Sequence, residues 1–548
     1  MTAVTTAPRL HVVVVGHGMA GSRLVDELLA RRRSRASRPL RITVIGEEPY
    51  GAYNRVLLSE VVGGRADVAA LQLSDLDGYR TAGVDLRLGG LVTGLDLLRH
   101  KVFLADGSAV GYDRLVLATG ARPVVPDVPG LSDVPGLSDV PGPSDVPGPS
   151  DVPALAGAAG GVPGVPGGRL PGGVHLLRTV DDAREIVAGV GNARHAVVVG
   201  GGLLGLEAAR GLASRGLPVT VLNAGAHPLH RQLDAAAGTL VGRRLADLGV
   251  RVRDGAALRA VLVEGDRVVA VEATGGDGAA PAGRLPADLV VLACGARPET
   301  TLARAAGLRV GRGVVVDDRL TTSDPSVHAL GDCAEHDGQS PGLLAPAWEQ
   351  ARVLADLLTG ADPQARYRGC RLVFRLKAAG LDVLAAGECD ADPWAPPGDG
   401  GCEVVQLVDP AAGRYVKAVV DGGRLVGVVC VGVPRTAAEL TVLLDRGTPV
   451  PADRATLLLP GAGTAVGGRG PAVDGDPTLL PDRVTVCHCN GVTKGQVVSA
   501  REAGARSVDA VAARTRAGTG CGGCRDTVAG LLTWLEQSDP SPTPQATP

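Results

Sequence analysis

Aromatic residues are scarce in this chain of 548 residues, since tryptophan, tyrosine and phenylalanine make up only 2% of it. Hydrophobic residues still account for 45%, so the cores must be built from Val, Leu and Ala rather than from rings. No uninterrupted apolar run approaches the roughly 18 to 20 residues needed to cross a bilayer. The length, at about 150 residues per domain, predicts three or four domains and no membrane partner.

Two further absences narrow the class of protein. There is no block of Lys or Arg, and the formal net charge of −3 is spread along the chain, which excludes a nucleic-acid partner. The N-terminus lacks the basic region of a signal peptide, and its short apolar run leads straight into glycines. We therefore expect a cytoplasmic protein, in which ten cysteines serve metal or redox chemistry rather than a disulfide framework.

The sequence contains the same glycine pattern twice. The run "HVVVVG" leads into "GHGMAG" and a helical pattern, and "HAVVVGGGLLGLEAARGLASRG" repeats this order. Such a strand, turn and helix binds a pyrophosphate, because glycines permit the tight turn and let phosphate approach N–H groups at the helix N-terminus. Two dinucleotides are therefore predicted, one for each set of glycines: Gly16, Gly18 and Gly21 for the first, and Gly200, Gly202 and Gly205 for the second.

The strand after the first turn, "RITVIG", ends at Glu47. This is about the distance downstream at which an acidic residue binds the ribose hydroxyls. Glu48 is the less favoured neighbour, and a surface carboxylate is the alternative interpretation.

The matching strand of the second unit, "LPVTVLN", ends at Asn223, where an NADH-selective site usually carries Asp or Glu. Asn223 can bind a ribose hydroxyl but does not repel a 2′-phosphate. Nearby basic residues either favour NADPH or are ordinary loop residues, so the choice between NADH and NADPH stays open; they are His227, His230 and Arg231. Glu207, on the first helical turn, is a further predicted NAD(P) contact.

Two segments resemble those of flavoprotein reductases that bind two dinucleotides: "RLVLATGARP" and "TTSDPSVHALGDCAE". The resemblance implies that FAD occupies the first site, beside Thr119 and Gly120, and that Asp332 binds its ribityl chain. It also implies that the FAD domain is discontinuous. In "ADLVVLACGARP" the resemblance places Gly295 near the nicotinamide, whereas Cys294 is expected to be a small buried residue.

A redox cysteine pair is missing from the place where disulfide reductases carry it. The stretch "EEPYGAYNRVLLSEVVGG", after the first ribose-binding strand, has no cysteine. Disulfide reductase, single-cysteine peroxidase and CoA-disulfide reductase activities are therefore excluded, and electrons must leave the flavin by another route.

Four stretches together, "YNRVLLS", "LLRTVDDA", "RQLD" and "LGDCAEHDG", resemble assimilatory NAD(P)H-dependent nitrite reductase large subunits in their N-terminal half. They also resemble the electron-transfer subunits of assimilatory nitrate reductases. The first stretch contains Arg55, a predicted FAD contact.

The last cysteines of the chain form two close pairs, Cys487 with Cys489 and Cys521 with Cys524. Spacing alone is compatible with a Cys₄ [2Fe–2S] cluster or with structural zinc. The stretch "CHCNGVTKG…TRAGTGCGGC", however, resembles the bacterioferritin-associated-ferredoxin-like domain, which implies a [2Fe–2S] cluster. His488 is expected to lie beside the cluster rather than to bind it.

The predicted fold class is α/β: two Rossmann-like FAD- and NAD(P)-binding domains, a small α+β domain and a small C-terminal helical [2Fe–2S] domain. Two Pro- and Gly-rich segments, an insertion and a linker, separate these domains, and the insertion contains a repeat of "VPGLSD" type. The predicted ranges are 9–127 and 308–362 for the FAD domain, 128–173 for the insertion, 174–307 for the NAD(P) domain, 363–450 for the α+β domain, 451–481 for a linker, 482–536 for the cluster domain and 537–548 for a disordered tail.

The predicted function follows from electron counting. A hydride delivers two electrons to FAD and a [2Fe–2S] cluster carries one at a time, so the flavin must convert between them. Because no cysteine follows Cys524, a sirohaem module is not expected, and the acceptor is predicted to be a separate nitrate or nitrite reductase catalytic subunit. The alternatives are a reductase for a ferredoxin-like or rubredoxin carrier, a diaphorase, and an iron–sulfur redox sensor. A second copy of the chain, in a homodimer, is a further candidate partner.

Overall fold

The computed structural model describes residues 9–32, 38–131, 170–275, 283–394, 402–458, 481–487, 490–518 and 524–538. The chain divides into two compact units, Met1–Pro460 and Gly461–Pro548. Most of the predicted insertion and linker lies outside the described residues, and the predicted domain boundaries stay predictions. Among the described helices, none is both long and apolar enough to span a bilayer.

The first segment of unit 1 contains the first glycine turn, between a buried strand and a long helix. A small antiparallel sheet follows, and a strand after it returns to the parallel sheet. The elements are β1 (Leu10–Val15), α1 (Met19–Arg31), β2 (Leu40–Gly46), α2 (Leu58–Val62), α3 (Leu76–Thr81), β3 (Asp85–Leu88), β4 (Val92–Asp96), β5 (Lys101–Leu104), β6 (Ala109–Gly111), β7 (Arg114–Leu117) and β8 (Ala121–Pro123).

The second segment repeats the arrangement around the second glycine turn. The elements are β9 (Val174–Leu176), α4 (Val180–Val190), β10 (Ala196–Val199), α5 (Leu203–Ser214), β11 (Val219–Asn223), α6 (Ala235–Asp247), β12 (Val250–Asp254), β13 (Leu258–Glu264), β14 (Arg267–Ala273), β15 (Gly283–Pro286), β16 (Leu289–Leu292) and β17 (Ala296–Pro298). The third segment adds α7 (Thr301–Ala305), β18 (Val314–Val316), β19 (Val327–Ala329), β20 (Ala334–His336) and α8 (Leu344–Thr359).

Each glycine turn lies in a five-stranded parallel sheet. The first has the order β19-β7-β1-β2-β3, so a strand from beyond the second unit completes it, and the second has the order β12-β11-β10-β16-β9. Both central strands are valine-rich; β10 is buried throughout and β1 is buried from Val12 to Val15, with no exposed surface at Val12, Val13 and Val14. Continuous apolar strands are typical of parallel sheets that are covered on both faces. The carboxyl ends of both sheets therefore carry the dinucleotide turns.

An antiparallel sheet of the order β21-β22-β25-β24-β23 ends unit 1, with one helix packed on it. Its elements are β21 (Val373–Ala378), β22 (Leu381–Gly387), β23 (Glu403–Asp409), β24 (Arg414–Asp421), β25 (Arg424–Val431) and α9 (Pro434–Arg446). Buried polar contacts fix this sheet to α6. Tyr415 donates its hydroxyl to Asp234 Oδ2 at 2.5 Å, and Lys417 Nζ lies 3.2 Å from the same oxygen.

Unit 2 is small and mainly helical. It contains β26 (Thr485–Cys487), β27 (Val492–Thr493), α10 (Lys494–Glu502), α11 (Val508–Thr515) and α12 (Arg525–Ser538). Thr493 begins α10 with a capping box, in which its hydroxyl and the Gln496 side chain bind each other's backbone N–H. The helices pack around one hydrophobic cluster that includes Val497, Val511 and Val528.

We predict that Tyr415→Phe destabilises unit 1. The substitution removes a hydrogen bond to a charged acceptor from a fully buried position, which costs about 1.5–3 kcal/mol. Because unit 1 extends from Met1 to Pro460, its unfolding entropy is large and the thermal midpoint should fall by roughly 1.5 to 3 °C. The matched control is Tyr50→Phe, whose hydroxyl contacts Asp181 at an exposed position and whose loss should leave the midpoint unchanged. Equal midpoints for both variants would contradict the prediction.

Candidate functional site

In the first glycine turn, two of the three glycines are required for backbone packing within the protein, and the third is not. Gly16 has φ +111°, and a Cβ built on it would lie 2.1 Å from the carbonyl oxygen of Ala118. A Cβ on Gly21 would lie 2.0 Å from the carbonyl oxygen of Gly16, so both glycines allow close backbone packing. Gly18, at the start of α1, has φ −85°, and only Arg55 Nε lies near its absent side chain, at 3.9 Å.

The second turn repeats this geometry. Gly200 has φ +127°, and a Cβ there would lie 2.2 Å from the carbonyl oxygen of Ala293, while one on Gly205 would lie 2.0 Å from Gly200 O. Gly202 begins α5 with φ −83°, and no atom of the described ranges lies within 4 Å of its absent Cβ. Within the part of the chain that the structure describes, no protein contact explains the middle glycine of either turn. Open space at a helix N-terminus fits a pyrophosphate, so both turns fit a dinucleotide.

Glu47 and Glu48 follow β2 but have different surroundings. Glu48 accepts a hydrogen bond from the Tyr53 hydroxyl at 2.6 Å and forms an ion pair with Arg55. Glu47 is exposed beyond the strand end. The structure thus engages Glu48 within the protein and leaves Glu47 available to a ribose, a role that stays a prediction.

Arg55 lies close to the first turn. Its guanidinium stacks 5.1 Å from the Tyr53 ring centroid, and Nη1 donates to the carbonyl oxygen of Arg178 at 3.1 Å. Because Arg55 is also the nearest side chain to the open space at Gly18, it brings positive charge to the place where a phosphate fits. This position supports the predicted FAD contact.

Arg178 is a site residue that the sequence analysis did not assign. Its Nη2 lies 2.9 Å from Asp332 Oδ2 and 3.7 Å from where a Cβ of Gly120 would be. Thr119, beside Gly120, donates its hydroxyl to Glu299 O at 3.0 Å. The structure therefore brings Thr119, Gly120 and Asp332 to one place and adds an arginine, while their contact with FAD stays a prediction. The stretch "LLRTVDDA" was the available signal, since this arginine directly precedes the N-cap of α4.

His17, between the glycines of the first turn, is buried, and neither of its ring nitrogens has a hydrogen-bond partner among the described residues. Its ring contacts Tyr79 edge to face, with centroids 6.0 Å apart. Burial lowers the pKa of His17 to about 4, so the ring is neutral at neutral pH. Unpaired buried nitrogens beside the turn fit a site that a polar ligand completes.

Glu207 is held by side chains from two other parts of unit 1. It is 3% exposed, and its carboxylate accepts hydrogen bonds from Ser59 Oγ at 2.9 Å and from the backbone N–H of Lys377 at 2.9 Å. Lys377 Nζ lies 3.2 Å from the same carboxylate. Lys377 has no sequence signal that marks it, and the predicted contact of Glu207 with NAD(P) stays a prediction. Gly295 follows the end of β16 by three residues, has φ +100° and, among the described residues, has no atom within 4 Å of its absent Cβ; its place near the nicotinamide stays a prediction.

Asn223 is the last residue of β11 and is 2% exposed. Its amide Nδ2 donates to Asp254 Oδ1 at 2.6 Å and to Gly225 O at 3.2 Å, and its Oδ1 accepts from the Gly225 N–H at 3.2 Å. Asp254 ends β12, the neighbouring strand. The sequence analysis did not foresee this carboxylate.

The thiols of unit 1 that lie near the two turns are not activated. Cys333, next to Asp332, is fully buried, and burial raises the pKa of its thiol. Burial likewise raises the pKa of the half-buried Cys294 to about 11. Reactive thiols have lowered pKa values. Neither cysteine is suited to accept electrons from a flavin as a redox dithiol.

Two of the four predicted cluster ligands are described, and both lie in the core of unit 2. Cys487 ends β26 with no exposed surface, and Cys524 directly precedes α12 and is 7% exposed. Asn490 Nδ2 donates to Cys487 Sγ at 3.5 Å, the kind of hydrogen bond that supports a metal-bound thiolate. Cys489 and Cys521 lie outside the described residues, and no group of three metal-binding side chains occurs within them. The described pair fits a buried cluster.

Comparison with known proteins assigns both units. The model of pyridine nucleotide-disulphide oxidoreductases matches residues 10–143 and 154–351. The chain belongs to the pyridine nucleotide-disulphide oxidoreductase family. The BFD-like [2Fe-2S] binding domain matches residues 485–534. The predicted fold class, the predicted enzyme class of FAD-dependent NAD(P)H oxidoreductase and the cofactors FAD, NAD(P)H and [2Fe–2S] are therefore confirmed.

Among relatives of this oxidoreductase, the nitrite reductase [NAD(P)H] of Bacillus subtilis (strain 168) is 32% identical over 96% of this chain and 58% of its own length. The assimilatory nitrate reductase electron transfer subunit of the same organism is 31% identical over 97% of this chain and 61% of its own. The chain thus spans about three fifths of these relatives. A crystal structure of the covalent putidaredoxin reductase–putidaredoxin complex matches with a TM-score of 0.64 and 26% identity, over 81% of this chain and 95% of that one.

Substitution of the second-turn glycines should separate binding from folding. In Gly202→Ala the new Cβ meets no protein atom, so the thermal midpoint should stay within about 2 °C of the wild type. The methyl group occupies the space of the pyrophosphate, and the dissociation constant for NAD(P)H should rise roughly tenfold or more. Gly200→Ala, with a Cβ against Ala293 O, should instead destabilise the fold. Unchanged nucleotide binding by a folded Gly202→Ala variant would contradict the assignment.

A second prediction concerns pH. Because the folded pKa of His17 is about 4 and the ordinary value is 6.5, protons bind the unfolded state first as the pH falls. Stability of the flavin-free protein should therefore be lost between pH 6.5 and 4, by about 1–3 kcal/mol for this residue. His17→Asn should reduce that loss in urea unfolding, while His328, whose pKa burial also lowers to about 4, retains its own share. A His17→Asn variant that loses as much stability as wild type between these pH values would contradict the prediction.

Proposed function

We propose that this chain oxidises NAD(P)H and delivers the electrons singly to a separate catalytic protein. One observation carries the proposal: a two-dinucleotide flavoprotein unit without an activated thiol beside its turns is joined to a unit in which Cys487 and Cys524 fit a buried cluster. The family name refers to disulfide chemistry, but the stretch after the first ribose-binding strand lacks the cysteine pair that such chemistry needs. The cysteines of unit 2 are the remaining route for the electrons.

The cofactors supply the electron chemistry, since bound FAD accepts the two electrons of a hydride and a [2Fe–2S] cluster passes electrons one at a time. The chain's own residues do the rest. Gly18 and Gly202 leave space for the two pyrophosphates, and Arg55 provides charge beside the first. Arg178 and Asp332 form an ion pair beside the Thr119–Gly120 turn. This ion pair fixes the orientation of the Asp332 carboxylate, the predicted contact of the FAD ribityl chain.

We propose that the acceptor is a molybdenum-containing assimilatory nitrate reductase. A nitrite reductase, receiving electrons by the same route through FAD and the cluster, is the alternative. The likeness to the B. subtilis electron transfer subunit, which extends over nearly the whole chain, supports this choice. Reduction of nitrate to nitrite takes the two electrons that a single NAD(P)H provides. We expect this reaction in the cytoplasm, as the sequence predicts, where NAD(P)H is available.

A ferredoxin-like carrier is the second candidate acceptor. The likeness of this chain to the putidaredoxin reductase of a covalent complex with putidaredoxin favours it, because that structure joins a reductase of this fold to a named partner protein. The cluster of unit 2 would then either pass electrons from FAD to this carrier or take the place of the carrier's own cluster. Reconstitution distinguishes these acceptors.

We predict that Cys487→Ser removes iron and labile sulfide and abolishes the EPR signal that NADH produces under anaerobic conditions. Bleaching of FAD by NADH should remain, because this cysteine lies in unit 2. Electron delivery to the catalytic partner should fall by at least about a hundredfold. Cys402→Ser, at an exposed position of unit 1, is the matched control and should behave as wild type. Full delivery by a cluster-free variant would refute the route through unit 2.

Reconstitution with the catalytic protein tests the acceptor. NADH-driven nitrate reduction should depend on adding this chain and should consume one NADH per nitrate. Nitrate reduction that is indifferent to the chain, together with rapid reduction of a ferredoxin, would favour the second candidate. Zinc without sulfide in the purified protein would contradict both.

A further inference from the structure

We infer that Asp254 supplies the ribose-binding carboxylate of the second dinucleotide unit and that Asn223 holds it in place, so that the site prefers NADH to NADPH. The inference rests on the proposed NAD(P)H oxidation and adds the choice of nucleotide. It concerns a residue outside the usual pattern, because the acidic residue of such units ends the second strand, a place taken here by Asn223.

The hydrogen bonds of Asn223 leave it no free donor. An amide nitrogen has two hydrogens, and here one points to Asp254 Oδ1 and the other to Gly225 O. Since a carboxylate and a carbonyl can only accept, the amide orientation is determined and its oxygen faces Gly201, whose absent Cβ would lie 2.3 Å from it. With 2% of its surface exposed, Asn223 is a support rather than a ribose contact.

Asp254 is placed where such a contact is needed. It pairs in register with Asn223 on the neighbouring parallel strand, so both residues end at the edge of the sheet where dinucleotides bind. Two backbone hydrogen bonds hold this edge, from Ala256 N to Asn223 O and from Gly255 N to Gly225 O, each 2.9 Å. Asp254 is half-buried, and among the described residues its Oδ2 has no hydrogen-bond donor.

The charge at this edge decides between the two nucleotides. A ribose 2′-hydroxyl can donate to a carboxylate, whereas a 2′-phosphate offers only acceptors and negative charge. The basic residues that could favour NADPH lie on the loop after β11: His227, whose ring packs against Gly238, His230, whose ring packs against Gly225, and the exposed Arg231. Within the described part of the chain, none of the three forms an ion pair with Asp254, whose described hydrogen bond comes from Asn223. No basic side chain of this loop therefore offsets the negative charge at the strand end.

The test measures dissociation constants of NAD⁺ and NADP⁺ for the FAD-loaded protein by calorimetry, without turnover. Wild type should bind NAD⁺ at least about tenfold more tightly. Asp254→Asn should weaken NAD⁺ binding roughly tenfold without weakening NADP⁺. Asp254→Glu keeps the carboxylate and should hold the NAD⁺ preference to within about threefold of wild type. A purely structural role of Asp254 would not predict that the preference follows the charge.

Two controls complete the experiment. Asp288→Asn makes the same change at the opposite end of the sheet, where Asp288 binds the backbone N–H groups of Arg194 and His195, and should leave the preference unchanged. His230→Gln should also leave it unchanged. A wild type that prefers NADP⁺, a preference that responds to His230 and not to Asp254, or a folded Asp254→Glu variant that has lost the preference would overturn the inference. Binding of neither nucleotide would overturn the proposed function as well, whereas NADP⁺ preference removes the inference alone.

Discussion

The close approach of backbone to backbone at the two glycine turns is the contact on which the rest of unit 1 depends. At each turn the glycine that follows the central strand lies against the backbone that follows the neighbouring strand, and no side chain larger than hydrogen fits between Gly16 and Ala118 or between Gly200 and Ala293. This contact joins β1 to β7 and β10 to β16 and brings the N-termini of α1 and α5 to the edge of their sheets. Phosphate binding is a consequence of that packing, since the exposed N–H groups and the space at the middle glycines come with it.

Buried charges then fix the segments of unit 1 against each other. Glu207 and Asp234 lie on helices of the second parallel sheet, and their partners Lys377 and Lys417 lie on the antiparallel sheet. Ion pairs of this kind contribute little net stability, because desolvation offsets the attraction, but either partner left alone is costly. They therefore specify one arrangement of the two sheets. Hydrogen bonds lower the pKa of Asp234 even though its burial acts in the opposite direction.

Family membership does not by itself decide where the electrons go. Proteins with this fold reduce many acceptors, and the acceptor depends on the groups beside the flavin and on attached domains. In this chain the cysteines near the turns are buried thiols with raised pKa values, and the thiols suited to metal binding lie in unit 2. The electron acceptor is therefore better indicated by the placement of the cysteines, away from the turns and in unit 2, than by the fold.

The sequence by itself determined the glycine turns, the parallel sheets and the cysteine pattern. Each depends on local rules: positive φ and lack of Cβ at Gly16 and Gly200, continuous valine runs, and short spacing between ligands. Tertiary structure alone decided the partners of the polar residues. Arg178 reaches Asp332 over 154 positions and Lys377 reaches Glu207 over 170. These residues become neighbours because of the order of the strands in the sheets, and no local sequence pattern encodes that order. For the same reason the missing carboxylate at Asn223 could be found only on the adjacent strand, at Asp254.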